Sequence, residues 1–470
     1  MFRTRLPAQA LGGVVAATLL LAAGSGACSA WAAPWAPVGT SGQLNVSDNI
    51  GLARTSDGIL HVAWFRRTPD GLYDTLQTPI AAAGAAGAAV PIVTGWASVE
   101  GPSLVGQGTS LSAFFSGTQT TTTGDPHEGL DLATSADGGA TWALAPTAVA
   151  AGDFASSRDA SVVATSAGLV QSWYAGSETV VHAGLDRATP NQRGYGAGTN
   201  QMLAFSPGAA AGDVLAAWCT GVQGANGVFV QPVSAATGAP AGPAQLMPGS
   251  TAVVGGVPET FCPANSRVAL TARAQGGYFV AATDVHRTAV KGWRVDGAPA
   301  VTLAGGTSTK QLIAASGTPA PGRAAGSVWV GWFDDGDVKL RRSNRTATVF
   351  GATVTLPAPK VDGVYGLDLA AQGDRVDAII RVEGAGTVSL QHAQAFPGLT
   401  LTVVRGGRRA AFRVLDAGDP VKDATVTVAG HSATTDTAGR ASIAIGRHGR
   451  FAATATKAKY VAASATVRVR

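Results

Sequence analysis

Polar side chains able to do binding chemistry stand singly along this chain, each beside a short apolar segment: Glu100, Arg158 with Asp159, Arg267, Lys310 and Tyr365, with Asp48, Asn49, Asn200 and Gln201 in equivalent settings. Guanidinium, ammonium, carboxylate and phenol groups gathered at one place can grip a carboxylate in bidentate fashion, or share out the hydroxyls of a sugar. The competing assignment is ordinary solvated residues. A second set follows aromatic positions: Arg66, Arg67 and Asp70 after Trp64, Glu178 after Trp173 and Tyr174, and His286 with Arg287 after Asp284. Aromatics beside polar groups suit sugar stacking, but Trp64, Trp173, Trp218 and Trp332 share one recurring position, which favours packing. The run Asp334-Asp335-Gly336-Asp337 has the oxygens for calcium but neither the spacing nor the bidentate glutamate of a calcium loop, and it reads as a tight hairpin turn.

Other chemistries leave no trace. There is no HExxH, no GxSxG before a helix, no Walker loop and no Cys/His spacing for zinc, so neither metal nor cofactor is expected. The 470 residues carry 34 basic and 29 acidic side chains, a net +5, with no block of like charge, which argues against a nucleic-acid partner. His127 and Glu128 follow the stretch TQTTTTGDP, expected to be a flexible, exposed insertion.

The N-terminus reads as an export signal. Arg3 and Arg5 precede the apolar stretch 11–23, and Ala30-Trp31-Ala32 offers a small-x-small cleavage site, giving a signal peptide over residues 1–32 and a secreted or extracellular product, possible surface association included. Lipidation of Cys28 is the rival reading. No later apolar run is long enough to be a transmembrane helix. In an oxidising compartment Cys219 and Cys262 form an even pair and are expected to bridge, with two separate buried thiols as the alternative.

The elements that position these residues come from a repeat. A glycine-containing turn followed by an alternating apolar strand recurs as SDGILHVAWF at Ser56, GQGTSLSAFF at Gly106, SAGLVQSWY at Ser166, AGDVLAAWC at Ala211, QGGYFVAAT at Gln275, AGSVWVGWF at Ala325 and QGDRVDAII at Gln372. Each copy follows another short apolar segment, and helical periodicity is nearly absent. The pattern predicts an all-β chain with a β-propeller of about seven blades, six being the rival count, over residues 44–397. In such a fold the polar residues above stand where innermost strands begin, around the upper rim of one channel. Cys219 and Cys262 fall near the same face of adjacent blades.

One copy carries a sharper motif. Ser135, Asp137, Gly139, Thr141 and Trp142 fit SxDxGxTW, which resembles the Asp-box, or bacterial neuraminidase repeat, of sialidase-superfamily propellers. The resemblance implies a structural turn on the face opposite the ligand site. Sialidases use an arginine triad, a tyrosine nucleophile activated by a glutamate, and an aspartate acid/base. Their first arginine lies in a FRIP-like inner strand, whereas this chain has Asn49-Ile50-Gly51-Leu52 there. Catalysis is therefore the weaker expectation. The leading one is a secreted propeller that binds extracellular glycan or a surface partner through its upper face; an exo-acting glycoside hydrolase of sialidase type and a purely structural surface protein are the alternatives.

From residue 399 the rhythm changes. Strict alternation with turns at Gly418, Gly430 and Gly439 resembles a small immunoglobulin-like or carboxypeptidase-regulatory-like β-sandwich over residues 399–470. This tail holds 12 lysines and arginines against four aspartates, a net +8, so residues 1–398 sum to −3. The asymmetry predicts attraction to an anionic envelope polymer or membrane surface.

Overall fold

The computed structural model describes residues 35–42, 50–122, 124–149, 158–165, 168–175, 178–186, 188–192, 195, 203–208, 212–220, 226–254, 257–259, 268–318 and 326–469. Among these every regular element is a strand. The signal-peptide stretch and Cys28, Asp48, Asn49, Asn200, Gln201, Cys262 and Arg267 lie outside the described residues.

Antiparallel sheets follow one another in chain order, each built outward from an inner strand. Sheet 1 runs from Gly51–Arg54 to Val90–Trp96, sheet 2 from Ser98–Gln107 to Ala143–Leu144, sheet 3 from Arg158–Thr165 to Glu178–Ala183, and sheet 4 from Ala204–Pro207 to Gln245–Leu246. Sheet 5 runs from Ala269–Ala272 to Val301–Ala304, and sheet 6 from Lys310–Gly317 to Val354–Pro357. Sheet 7 takes Gly363–Gln372, Arg375–Gly384 and Thr387–Ala395, and its outermost strand is Ala36–Gly42, upstream of residue 44, where the sequence pattern starts the domain. Successive inner strands stand against one another, and that of sheet 7 returns to that of sheet 1. This closed ring of sheets is a β-propeller.

The composition explains the closure. At the ring's centre the inner strands pack backbone against backbone: a Cβ at Gly51 would lie 2.7 Å from the amide nitrogen of Leu104, and one at Gly317 would run into the carbonyl oxygen of Ala272. Short hydroxyl side chains stitch the same seams, with Val162 N–H donating to Ser103 Oγ (3.2 Å), Gly317 N–H to Thr271 Oγ1 (2.7 Å) and Ala371 N–H to Ser316 Oγ (2.9 Å).

Farther out, apolar clusters are each shared by two neighbouring sheets. Trp64 packs with Val38, Ile379 and Leu390 of sheet 7, and Trp173 with Phe114 and Leu130 of sheet 2. Trp218 meets Val163 and Val170 of sheet 3, and Trp332 meets Phe279 of sheet 5. All four indoles are buried, which settles their role as mortar between sheets.

A buried polar network joins sheets 7 and 1. The Asp377 carboxylate, 1% exposed, accepts from Arg54 Nη2 at 2.6 Å, His392 Nε2 at 2.9 Å and Gln394 Nε2 at 2.9 Å. Beside it, His61 is held between Thr55 Oγ1 at 3.0 Å and Gln77 Nε2 at 2.7 Å.

Beyond Pro397 two four-stranded sheets share a core of Phe412, Val414, Val426, Ile443 and Val467. One contains Thr400–Arg405, Arg409–Asp416 and Arg440–Ala444; the other contains Thr425–Val428, His431–Thr434, Gly449–Thr456 and Ala463–Val469. This C-terminal module meets the propeller through Gly398, which bridges Ala352 and Val461, and through Arg342, which pairs with Asp416 and, at 3.3 Å, with Asp374.

Candidate functional site

Inner strands begin on one face of the ring, here called upper, and the loops between second and third strands rise there too. Four inner strands share an irregularity at their start. Register shifts fall between Glu100 and Ser103, Arg158 and Ser161, Gln311 and Ala314, and Val364 and Gly366. A bulge leaves a residue out of the ladder and re-aims its neighbours. Two of these sites need left-handed backbone: Gly101 at φ 43° and, with a side chain, Leu312 at φ 54°. Asp159 and Tyr365 fall inside these bulges, while Glu100, Arg158 and Lys310 stay paired with Ser116, Tyr174 and Asp334 just before one. Alternation of apolar residues gave their approximate places but carried no signal for the bulges themselves.

Tyr365 occupies the bulge of sheet 7 and is half-buried. Its hydroxyl is hydrogen-bonded to the Glu383 carboxylate, and that bond, with the charges of Glu383 and Asp362, pushes the phenol above its ordinary value. A phenol held in this way is a hydrogen-bond donor at neutral pH. Arg381, 6% exposed, stands directly across from Gly366, where a Cβ would collide with its guanidinium. This buried cation beside the rim was not among the sequence candidates, because an arginine inside the apolar strand RVDAIIRVEG has no local signature.

Lys310 takes a different position from a solvated rim residue. It is 1% exposed, its ammonium donates to Ser308 O at 2.9 Å and Ser308 Oγ at 3.0 Å, and Asp334 Oδ2 lies 3.8 Å away. Its backbone N–H donates to Arg287 O at 2.6 Å, tying the loop of sheet 5 to the start of sheet 6. Glu100 is half-buried opposite Ser116. The backbone of Arg158 and Asp159 belongs to the inner strand of sheet 3, and their side chains lie outside the description.

The rising loops are mostly self-contained. Arg66 pairs with Asp74 at 2.9 Å, and Arg67 sits over the Tyr73 ring at 5.9 Å. Asp284 caps its own turn, accepting from Thr288 N–H at 2.6 Å and Thr288 Oγ1 at 2.8 Å. Asp334 and Asp337 face each other across a two-residue hairpin with Asp335 at φ 51° and Gly336 at φ 82°, the tight turn expected. Among the described residues no group of three or more His, Cys, Asp and Glu side chains is placed to hold a metal ion.

One loop corrects the sequence reading. Thr120 to Thr122 are exposed, but Asp125, His127 and Asp131 are buried, at 7%, 6% and 0%. Asp125 accepts from Thr120 N–H at 2.6 Å and His127 N–H at 2.9 Å, while His127 Nδ1 donates to Asp131 Oδ1 at 2.7 Å and its ring lies 5.5 Å from that of Trp96. The loop folds back on the sheet because a carboxylate at each end gives its polar groups partners.

The opposite, lower face carries structural features. In the motif at residues 135–142, Ser135 Oγ donates to Asp137 Oδ1 at 2.8 Å and accepts from Gly139 N–H at 2.8 Å, while Asp137 accepts from Thr141 N–H at 3.0 Å and Thr141 Oγ1 at 2.6 Å. The Thr141 hydroxyl and amide, with the Ser135 hydroxyl, hold the Asp137 carboxyl down at about 2. Trp142 packs against the cluster of Trp96 and Phe115. The same face holds a cleft of about 250 Å³ lined by Ser327, Arg342, Arg345, Asp416 and Asp419, where the C-terminal module joins. The module therefore leaves the upper rim uncovered. Cys219 is buried at the upper end of its strand in sheet 4.

No protein-family model matches the chain, and no curated protein matches it. Solved structures do. An α-L-arabinofuranosidase from Fusarium graminearum aligns over 77% of this chain and 97% of its own at 10% identity and a TM-score of 0.45. The polysaccharide lyase Uly1 aligns over 75% and 91% at 9% identity and a TM-score of 0.47. The BP39L lectin from Burkholderia pseudomallei aligns over 75% of this chain and 97% of its own at 13% identity and a TM-score of 0.51, a likeness of fold that spans nearly the whole lectin.

Proposed function

We propose that the chain is a secreted seven-bladed propeller that binds extracellular glycan through its upper rim without catalysis, followed by an immunoglobulin-like or carboxypeptidase-regulatory-like sandwich. Glu100, Arg158, Asp159, Arg267 and Tyr365 contact the sugar, and buried Lys310 fixes the rim between sheets 5 and 6. The observation that carries this reading is the bulge near the start of these inner strands, which takes Asp159 and Tyr365 out of the ladder and lies next to Glu100 and Arg158 around one channel. The likeness of fold to the BP39L lectin fits the same class of ligand. In this proposal residues 1–32 are a signal peptide, Cys219 bridges Cys262, and the turn at Asp137 is an Asp-box.

The second reading is an exo-acting glycoside hydrolase of sialidase type, and the Tyr365 to Glu383 hydrogen bond is what favours it.

Glycan-array binding and turnover of fluorogenic sialosides by the mature protein test both. Binding without turnover, weakened at least about tenfold by Arg158→Ala or Tyr365→Phe, is expected, each lost charge-assisted contact being worth about 1.5–3 kcal/mol. Turnover abolished by Tyr365→Phe would replace the leading reading with the second. Neither binding nor turnover would leave a structural protein.

A further inference from the structure

The acids of the C-terminal module are gathered at the end that meets the propeller, beside Lys422 and Arg440. Asp416 and Asp419 line the cleft at the propeller, Asp423 lies in the same connection, and Asp436 belongs to the turn whose Gly439 packs on Val414 and Pro420. Strand direction places the other end, with the turns at 405–409 and 445–449, away from Gly398. There Arg405, Arg408, Arg409, Arg447, Arg450 and Arg468 are all exposed. Among the described residues none of the six forms an ion pair; Arg409 Nε donates to Ser442 Oγ at 3.2 Å, and Arg408 lies 3.5 Å from His448 Nε2.

Two arginine pairs are direct cross-strand partners: Arg450 with Arg468 in one sheet, Arg413 with Arg440 in the other. Like charges set directly opposite on one face destabilise a sheet. Folding alone gives no reason to set two such pairs in one small module, or to gather six cations at an end where no acid stands among the described residues.

We propose that this tip is an interaction surface for a linear acidic polysaccharide. Guanidinium forks match carboxylate and sulfate groups in bidentate fashion. Arg409 and Arg413 lie on the outward face of one strand about 13 Å apart, and cross-strand neighbours about 5 Å apart, so the array is a track on which a chain of repeated charge engages several forks together. Exposed Thr400, Thr402 and Ser442 lie on the same sheet face as Arg409 and Arg413, hydroxyls that suit a sugar polymer. The tip's large exposed apolar side chain is Val404, at 64%, little against the aromatic and leucine face an interfacial lipid anchor uses. The surface is separate from the upper rim and stands whether or not the rim binds glycan.

Affinity of the full chain for size-fractionated heparin, with neutral dextran as control, is the test. Wild-type protein binds heparin, and binding weakens steeply with salt. Arg408→Thr, Arg450→Thr and Arg468→Thr together weaken it at least tenfold and flatten the salt dependence, while the melting temperature stays equal or rises as the facing charges go; Arg447→Gln, in an exposed turn, gives a smaller loss of the same kind. Tyr365→Phe leaves heparin binding unchanged. Heparin binding unaltered in both tip variants overturns the proposal, as does tighter capture by phosphatidylglycerol vesicles or a DNA duplex than by heparin.

Discussion

Asp377→Asn tests how the ring is held shut. The carboxylate is 1% exposed and compensates Arg54, whose side chain is 13% exposed and which also donates to Ala370 O at 3.4 Å and Gly58 O at 3.0 Å. An amide of the same shape keeps an acceptor but removes the charge, so Arg54, and Arg375 at 3.5 Å, are left with no carboxylate at the seam. Removing one partner of a buried pair costs about 3–5 kcal/mol, because the remaining charge has been taken from water without compensation. For a cooperative unit of this size that corresponds to a fall of about 5 °C or more in melting temperature, read by calorimetry and urea denaturation. The double variant Arg54→Met, Asp377→Asn removes the stranded Arg54 charge, keeps an acceptor for His392 and Gln394, and recovers part of the loss. A single variant within about 1 kcal/mol of wild type would refute the reasoning, as would a double variant no better than the single, since the network would then be an ornament of an apolar seam.

Two further outcomes follow from the same geometry. Burial pushes the His61 imidazole below its ordinary value, outweighing the attraction of Asp57, so the folded state prefers it neutral; its contribution is complete above pH about 6.5 and is lost as pH falls through the folded value, and His61→Gln should flatten that stretch of a pH-stability curve measured by chemical denaturation. Trp173→Ala, in the cluster between sheets 2 and 3, should cost about 3–5 kcal/mol in chemical denaturation while leaving rim binding by the folded fraction intact.

What could be read from the residues alone was what is local. Period-two apolar runs and glycine turns mark the hairpins, the shared position of Trp64, Trp173, Trp218 and Trp332 assigns them to packing, and the turn at Asp334 to Asp337 is written in its own four residues. The strand Ala36–Gly42 escaped because APVGTSG lacks alternation; it pairs with bulges on both sides of Gly39 and Thr40, and only its distant partner makes it a strand. Arg54 and Asp377 are 323 residues apart, and nothing near either one announces the other. Burial of Lys310 and His127 escaped for the same reason: a polar side chain goes inside only where a partner waits, and Asp334 and Asp131 become partners through the fold.

The strand that completes sheet 7 also sets a timetable. Ala36–Gly42 is synthesised before every other strand of the propeller, and its partner Thr387–Ala395 after them all. During synthesis the early strand has no edge to join, and the edge of Thr387–Ala395 stays open until the first strand finds it. Joining two ends so far apart costs about 5 kcal/mol of chain entropy, recovered only when the last sheet docks. Ring closure therefore cannot precede synthesis of Thr387–Ala395, and until it occurs an open ring, with an unpaired edge and uncovered apolar faces on sheets 1 and 7, is the species that chaperones and proteases would meet.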